Sequence, residues 1–161
     1  MFAAYSAVML YLLFFERMTG DGLSFLNAPD YAASLSHKFQ LIPFKTIGDF
    51  IGQFSTFSVN DPAFGPALVN IAGNIAVFVP LGVFLPLLFP KLLKFLPFLL
   101  TFSIIIVCVE ITQALTLLGS CDIDDLILNT AGGSIGYLIA SAIHSKHFLR
   151  LRGSVRQSDE R

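Results

Sequence analysis

The sequence predicts an all-α integral membrane protein, built as a bundle of about four transmembrane helices. Hydrophobic residues make up 55% of the 161-residue chain, and its mean hydropathy is +0.74. Charged residues make up only 13%, against about 25% in a typical soluble domain. Such a chain would expose large apolar patches in water, so we expect its solvent to be lipid. Its net charge of −1 disfavours nucleic-acid binding, which requires a basic surface.

Four apolar segments account for the predicted spans. A transmembrane helix needs about 20 mostly apolar residues, and segments near 65–89, 92–118 and 125–145 meet that length. The opening stretch, residues 1–15, is apolar but shorter and ends at Glu16–Arg17. It lacks the basic leader and the cleavage site of a signal peptide, so we interpret it as a shortened first span. Residues 1–145 then form one membrane domain.

The long loop between the first two spans mixes short apolar runs with isolated polar residues, as in LIPFKTIGDFIGQF. Irregular backbone at membrane depth must be covered by protein or water. We therefore expect short interfacial or re-entrant helices here, leaning on the bundle as a lid or rim.

Basic residues orient the bundle, because cytoplasmic segments carry an excess of Lys and Arg. The turn between the second and third spans holds Lys91 and Lys94. The tail, residues 146–161, holds Lys146, Arg150, Arg152, Arg156 and Arg161. We predict that both termini are cytoplasmic and that the segment GSCDIDD faces outward from the plasma membrane. The basic tail either rests on anionic lipid head groups or is a solvated end.

Polar side chains inside the spans are few and share one depth. At ~1.5 Å per residue, all five lie within roughly 14 Å of the outer helix ends. They are Asn70, Asn74, Glu110, Gln113 and Asn129. An intramembrane carboxylate indicates a functional site by default, although an interhelical hydrogen-bond network would also bury such groups. Their common depth favours an outward, water-accessible cleft.

Three aspartates, Asp122, Asp124 and Asp125, lie where the last span begins. Aspartate at a helix N-terminus caps free N–H groups and complements the helix dipole. One or two carboxylates suffice for that purpose, so a third favours cation binding. Asp122 and Asp125 share one side of the helix, and their oxygens suit a hard divalent cation such as Mg²⁺, Mn²⁺ or Ca²⁺.

Two further features concern packing. Gly132 and Gly136 form a small-xxx-small pair, which predicts close contact of the last span with the second or third. Cys108 and Cys121 would lie roughly 15–20 Å apart along one helix, beyond the ~7 Å limit for a disulfide. We therefore expect no disulfide between them and interpret both as packing residues, with Cys121 as a candidate free thiol.

Four blocks in this order resemble the VanZ-like membrane proteins: LIPFKTI, NIAGNIAVFVPLGVFLP, EITQ and DIDDLILNTAGG. The resemblance covers residues 41–137 and includes every polar residue selected above. It implies a bacterial cell-envelope protein. The namesake of the family is associated with resistance to the lipoglycopeptide teicoplanin, so the resemblance implies a role in such resistance.

Two functions follow as hypotheses. The first is a binding protein whose cleft holds a lipid-linked cell-wall precursor, a lipoglycopeptide or another amphiphile. Its ligand contacts would be Asn70, Asn74, Gln113, Asp124 and Asn129. The second is an intramembrane enzyme acting on a cell-wall or lipid precursor. Its catalytic candidates are Glu110, Asp122 and Asp125, with Glu110 as general acid or base. We favour binding, because the sequence contains no recognisable nucleophile or complete metal-ligand set.

Overall fold

The computed structural model describes residues 1–15, 18, 30–54 and 64–159. In the first half of the chain, α1 is Phe2–Leu10 and continues as a π-helical turn, Tyr11–Phe15; α2 is Tyr31–Ser36, β1 is Phe39–Gln40 and α3 is Lys45–Phe54. In the second half, α4 is Phe64–Leu88, a 3-10 turn is Pro90–Leu93, α5 is Phe95–Leu115, β2 is Cys121–Asp122 and α6 is Ile123–Asp159. The predicted all-α membrane bundle is confirmed.

Among the described residues, three helices are long and apolar enough to cross a membrane, namely Leu68–Leu88, Phe95–Leu115 and Ile123–Ser145. The predicted first span is a shorter apolar helix, because 9 α-helical residues are followed by only 5 π-helical ones. At ~1.5 Å per residue that length covers about 21 Å, less than the ~30 Å hydrocarbon core. The boundary predicted at Glu16–Arg17 lies outside the described residues.

Helix α6 does not end where the last span ends, but continues through most of the tail to Asp159. The contacts of the basic side chains in that tail lie outside the described part of the chain. Within the membrane domain, α6 occupies the centre, because α4 and α5 both pack along it.

Glycines allow α4 and α6 to approach at backbone distance. A Cβ added at Gly132 would lie 2.1 Å from the carbonyl oxygen of Ile75, and one at Gly136 would lie 2.1 Å from that of Val79. From the other side, a Cβ at Gly82 would lie 2.1 Å from the carbonyl oxygen of Gly133. The predicted small-residue contact of the last span with the second is therefore confirmed.

Aromatic side chains fill the core between the three long helices. Phe98 packs on Phe102 with ring centroids 5.3 Å apart, and on Tyr137 at 4.8 Å. Phe102 also meets Phe78 of α4 edge-to-face at 6.3 Å, and a Cβ at Gly133 would strike its ring. Offset and edge-to-face contacts of this kind add stability beyond the area they bury. The core thus fixes all three helices relative to one another.

The loop after α1 is tied to the start of α6 by a short parallel ladder. Phe39 pairs with Cys121 and Gln40 with Asp122. The N–H of Cys121 also donates to the carbonyl oxygen of Lys38 at 2.7 Å. Short helices leaning on the bundle were predicted for this loop, and the contacts of β1 with β2 attach the loop to the bundle. The ladder itself was not anticipated.

Candidate functional site

The side chain of Asp122 organises the end of the bundle where α6 begins, which we call the aspartate end (Asp122, Asp124 and Asp125). Its Oδ1 accepts from the N–H of Asp124 at 2.9 Å, so Asp122 caps the first turn of α6. Its Oδ2 accepts from the Thr46 hydroxyl at 3.0 Å. Asp122 therefore joins the last span to the loop that precedes α4.

The carboxylate of Asp124 is fully buried and serves a different helix. Its Oδ1 accepts from the N–H of Phe44 and its Oδ2 from the N–H of Ile47 at 3.1 Å. Phe44 immediately precedes α3 and Ile47 lies in its first turn, where backbone N–H groups lack helical partners. Asp124 thus caps α3 from across the bundle, with one oxygen for each amide.

Asp125 turns toward α4, where its Oδ1 accepts a hydrogen bond from the side-chain amide of Asn74. Asn70 lies one turn before Asn74 on the same helix. It is exposed, and its side chain makes no hydrogen bond with any described residue. The two asparagines predicted from the sequence therefore share a face, with one held by the aspartate end and the other open.

Glu110 and Asn129 meet inside the bundle, where they are 4% and 2% exposed. The amide of Asn129 donates to Glu110 Oε1 at 3.2 Å. One turn further along α5, the buried amide of Gln113 donates to the carbonyl oxygen of Leu13 at 3.0 Å. Leu13 lies in the π-helical turn that ends α1, so Gln113 satisfies a carbonyl at a helix end.

Two pockets lie beside these residues. The lateral pocket, between the end of α1 and α4, has a volume of about 540 Å³. It is lined by Leu12, Leu13, Val69, Asn70, Gly73, Asn74, Val77 and Phe78. The acidic pocket, at the aspartate end, has a volume of about 180 Å³. It is lined by Leu41, Val107, Glu110, Cys121, Asp122, Ile123 and Leu126.

Four of the eight predicted site residues line one of these pockets: Asn70 and Asn74 line the lateral pocket, and Glu110 and Asp122 line the acidic pocket. Among the described residues the pockets have no lining residue in common. From the sequence, one outward cleft was predicted to contain all of these residues. The other four are engaged in contacts between helices or with the loop: Gln113, Asp124, Asp125 and Asn129.

The VanZ/LLP1 family model matches residues 2–144. This range covers most of the chain and every described residue of both pockets. The chain belongs to the VanZ/LLP1 family. The predicted resemblance is therefore confirmed over a longer range than the four blocks on which it was based. A search of curated proteins and a search of solved structures found no match.

In this VanZ/LLP1 protein both cysteines are free thiols, as expected. Cys108 is exposed on α5, whereas Cys121 lines the acidic pocket. Burial raises the pKa of the Cys121 thiol, and the negative charges of Glu110 and Asp122 raise this pKa further. Cys121 is therefore a weak nucleophile at neutral pH, which argues against its use as a catalytic thiolate.

The divalent-cation hypothesis gains no support from the placement of the ligands. Within the described ranges, no three His, Cys, Asp or Glu side chains are grouped so that they could hold a metal ion. Asp122 accepts a hydrogen bond from Thr46 of α3, whereas Asp125 accepts one from Asn74 of α4, so the two carboxylates contact different elements.

The loop residues that bind Asp122 and Asp124 were not predicted from the sequence. Thr46 and the backbone of Phe44 and Ile47 complete the aspartate end, and Leu41 forms one wall of the acidic pocket. All four belong to the LIPFKTI block. That block was recognised as a family feature, but nothing in its composition indicates that it binds the DIDD segment about 80 residues away.

Proposed function

We propose that this VanZ/LLP1 protein binds an amphiphilic, lipid-linked ligand of the bacterial cell envelope in its lateral pocket. The single observation that carries the proposal is the lining of that pocket, which combines an apolar wall with the amides of Asn70 and Asn74. Ligand sites are mostly apolar cavities of about 300–1,000 Å³ with a few placed polar groups. The lateral pocket, at about 540 Å³, falls within that range.

Each part of the ligand has a matching part of the pocket. A hydrocarbon chain would pack against Leu12, Leu13 and Val77. Gly73 leaves space between the two asparagines, because a Cβ added there would have no neighbour within 4 Å. The open amide of Asn70 would bind a sugar hydroxyl or a phosphate oxygen of the head group, since an amide both donates and accepts.

Binding is favoured over the enzymatic alternative by the engagement of the catalytic candidates. Both oxygens of Asp122 accept hydrogen bonds within the fold, and Oδ1 of Asp125 accepts from Asn74. Glu110 accepts from Asn129. Residues with these contacts stabilise the helix arrangement, whereas a general acid or base must reach the substrate directly.

Gly73→Leu tests the proposal, because a leucine would fill the pocket without striking neighbouring atoms at its Cβ. The probe is a diazirine-bearing polyprenyl phosphate, photo-crosslinked to the protein in native membranes. We expect crosslinking to α4 to fall at least about fivefold in the variant, as a blocked site loses its ligand. Leu96→Ala, on an exposed part of α5, is the control and should crosslink as the wild type does.

Labelling spread evenly over the exposed helix faces, or unchanged in Gly73→Leu, would contradict binding in this pocket.

Two further variants distinguish recognition of the head group from recognition of the hydrocarbon chain, namely Asn70→Leu and Asn74→Leu. Both should weaken crosslinking of the polyprenyl phosphate more than that of a polyprenyl alcohol, because only the phosphate accepts hydrogen bonds strongly.

The proposal extends to lipoglycopeptide resistance, on the family relationship implied by the sequence. Cells that express the wild-type chain should tolerate teicoplanin better than cells that express Gly73→Leu at equal levels. Equal susceptibility to teicoplanin of cells with and without the wild-type chain would contradict the resistance role. Ligand binding would then be tested by the crosslinking experiment alone.

A further inference from the structure

Four consecutive residues between β1 and α3 form an exposed apolar ridge (residues 41–44). Leu41, Ile42 and Phe44 are 65%, 63% and 62% exposed, and Pro43 between them is also exposed. None of the four belongs to one of the three long spans. Contiguous exposed apolar surface of this kind marks a site of interaction with a protein or with a membrane. The ridge is therefore a candidate interaction surface.

The fold holds the ridge in place at both of its ends. Before the ridge, β1 pairs with β2. After it, the N–H groups of Phe44 and Ile47 donate to Asp124, and the hydroxyl of Thr46 donates to Asp122. The apolar side chains are thus presented outward by a segment that the bundle itself positions.

The ridge lies beside the membrane-spanning part of the bundle. Leu41 lines the acidic pocket together with Val107 of α5 and Leu126 of α6. Both of these residues lie within long apolar helices, and Val107 comes about two turns, or roughly 12 Å, before the end of α5 at Leu115. The medium around the ridge is therefore the one that surrounds these helices, which is lipid.

The backbone of the ridge suits this depth, because polar backbone groups in lipid must be satisfied within the protein. Pro43 has no N–H group, and the N–H of Phe44 donates to Asp124. The carbonyl oxygen of Phe44 accepts from the N–H of Gly48 at 2.7 Å. The second half of the ridge thus presents hydrocarbon to its surroundings while its N–H groups are either absent or paired.

A lysine flanks the ridge on each side, which indicates the kind of lipid. Lys38 lies immediately before β1, and Lys45 is the first residue of α3. Neither ammonium group forms an ion pair with a described residue. Lysine side chains at the edge of a membrane extend their charge to the head groups, where anionic phosphates attract them. The two lysines are therefore placed to bind anionic head groups where the chain enters and leaves the lipid.

We propose that the segment from Lys38 to Lys45 is a re-entrant anchor for anionic phospholipid. The apolar ridge inserts among the acyl chains of the leaflet at the aspartate end, and the two lysines bind the head-group phosphates of the same leaflet. A partner protein would have to displace lipid from the side of α5 to reach the ridge, whereas lipid is already there. The anchor is separate from the lateral pocket and does not depend on the ligand proposed for it.

Tryptophan fluorescence locates the ridge, because the chain contains no tryptophan. Ile42→Trp and Phe44→Trp place single reporters on the ridge. Ala32→Trp places one at an exposed position of α2, which lies at the end of α5 because the Tyr31 hydroxyl donates to the carbonyl oxygen of Leu115. Each protein is reconstituted in phosphatidylcholine vesicles whose acyl chains carry bromine, which quenches tryptophan on contact. We expect both ridge reporters to be quenched at least about twofold more strongly than the reporter at position 32.

Brominated lipids also measure the preference for a head group. In vesicles that mix phosphatidylglycerol with phosphatidylcholine, bromine is carried by one lipid or the other, and the quenching of Ile42→Trp gives their relative affinity. We expect phosphatidylglycerol to be favoured at least about fivefold, as for one basic residue near an anionic surface. Lys38→Gln combined with Lys45→Gln should abolish the preference. Lys91→Gln, the same change at an exposed position between α4 and α5, should retain it.

The outcomes that contradict the anchor are distinct. Equal quenching of the reporters at positions 42, 44 and 32 would show that lipid does not surround the ridge and would overturn the proposal. Equal affinity for the two lipids, or a preference that survives removal of both lysines, would overturn the binding of anionic head groups. Gly73→Leu, which fills the lateral pocket, should change neither result, so the anchor and the function proposed above are tested separately.

Discussion

Asp124 shows how a carboxylate inside a membrane bundle can be structural. A common N-terminal arrangement uses two side chains, one for the N–H of the capping residue and one for the N–H three residues later. Here a single carboxylate accepts from both, through Phe44 and Ile47. The backbone of Phe44 has φ of 61°, a left-handed conformation that costs a non-glycine residue roughly 1–2 kcal/mol. The hydrogen bond to Asp124 helps to hold this conformation.

Asp124→Asn should destabilise the protein and loosen the loop. The new amide nitrogen cannot accept, so one partly buried backbone N–H loses its partner, at a cost of about 1 kcal/mol. The measurement is thermal unfolding in detergent, together with hydrogen exchange at Phe44 and Ile47, which should accelerate. Asp30→Asn is the matched control, because exposed Asp30 caps α2 through one oxygen that asparagine retains. Equal midpoints for both variants would contradict this role of Asp124.

At the scale of the element, α4 and α6 form the closest helix pair. Small residues let the two backbones come into direct contact. Such close packing stabilises helix pairs in lipid, because lipid provides no hydrophobic driving force for helix association. Gly132 and Gly136 on α6 face Ile75 and Val79, while Gly82 on α4 faces Gly133. The contact therefore uses glycines from both helices, whereas the sequence pattern indicated only the pair on α6.

Gly136→Leu should separate α4 from α6 and lower both the thermal midpoint and the yield of folded protein. Its Cβ would lie 2.1 Å from the carbonyl oxygen of Val79, so the backbone itself must move. We expect a loss of several kcal/mol, beyond the ~1–3 kcal/mol typical of overpacking by side chains alone. Gly73→Ala, on α4 with open space around its Cβ, should be as stable as the wild type. A midpoint for Gly136→Leu close to that of Gly73→Ala would show that the helix pair adapts.

At the scale of the whole molecule, polar side chains gather at one end of an apolar bundle. The loop, the start of α6 and the second half of α5 meet there through Thr46, Asp122 and Glu110. At the opposite end, near the turn between α4 and α5, the hydroxyl of Tyr137 donates to the carbonyl oxygen of Leu93 at 2.7 Å. The polar contacts of the aspartate end therefore lie at the end of the bundle away from Tyr137.

The proposed orientation places that surface outside the plasma membrane and Lys91 in the cytoplasm. An impermeant maleimide should label Cys121 in intact cells, slowly because its pKa is raised. In Cys108→Ser, Cys121→Ser protein, a cysteine introduced by Lys91→Cys should react only after permeabilisation. Labelling of the Lys91→Cys protein in intact cells, together with no labelling of Cys121 in the wild-type protein, would show that the orientation is the reverse of the predicted one.

The sequence by itself determined the membrane environment and the three long spans. Hydrophobic length and the scarcity of charge are local properties, so the helices near 65–89, 92–118 and 125–145 could be assigned without tertiary information. The period of a helix also relates Asp125 to Asn129, which both lie in α6, whereas Asp122 lies in β2 and is outside the helix.

Only the tertiary structure decided which partner each polar residue has. Depth along a helix predicts that Asn74, Glu110 and Asn129 lie at one level, but it leaves the rotation of each helix about its axis open. The glycine contact sets that rotation between α4 and α6, and the aromatic core sets it for α5. As a result Asp125 meets Asn74, and Glu110 meets Asn129.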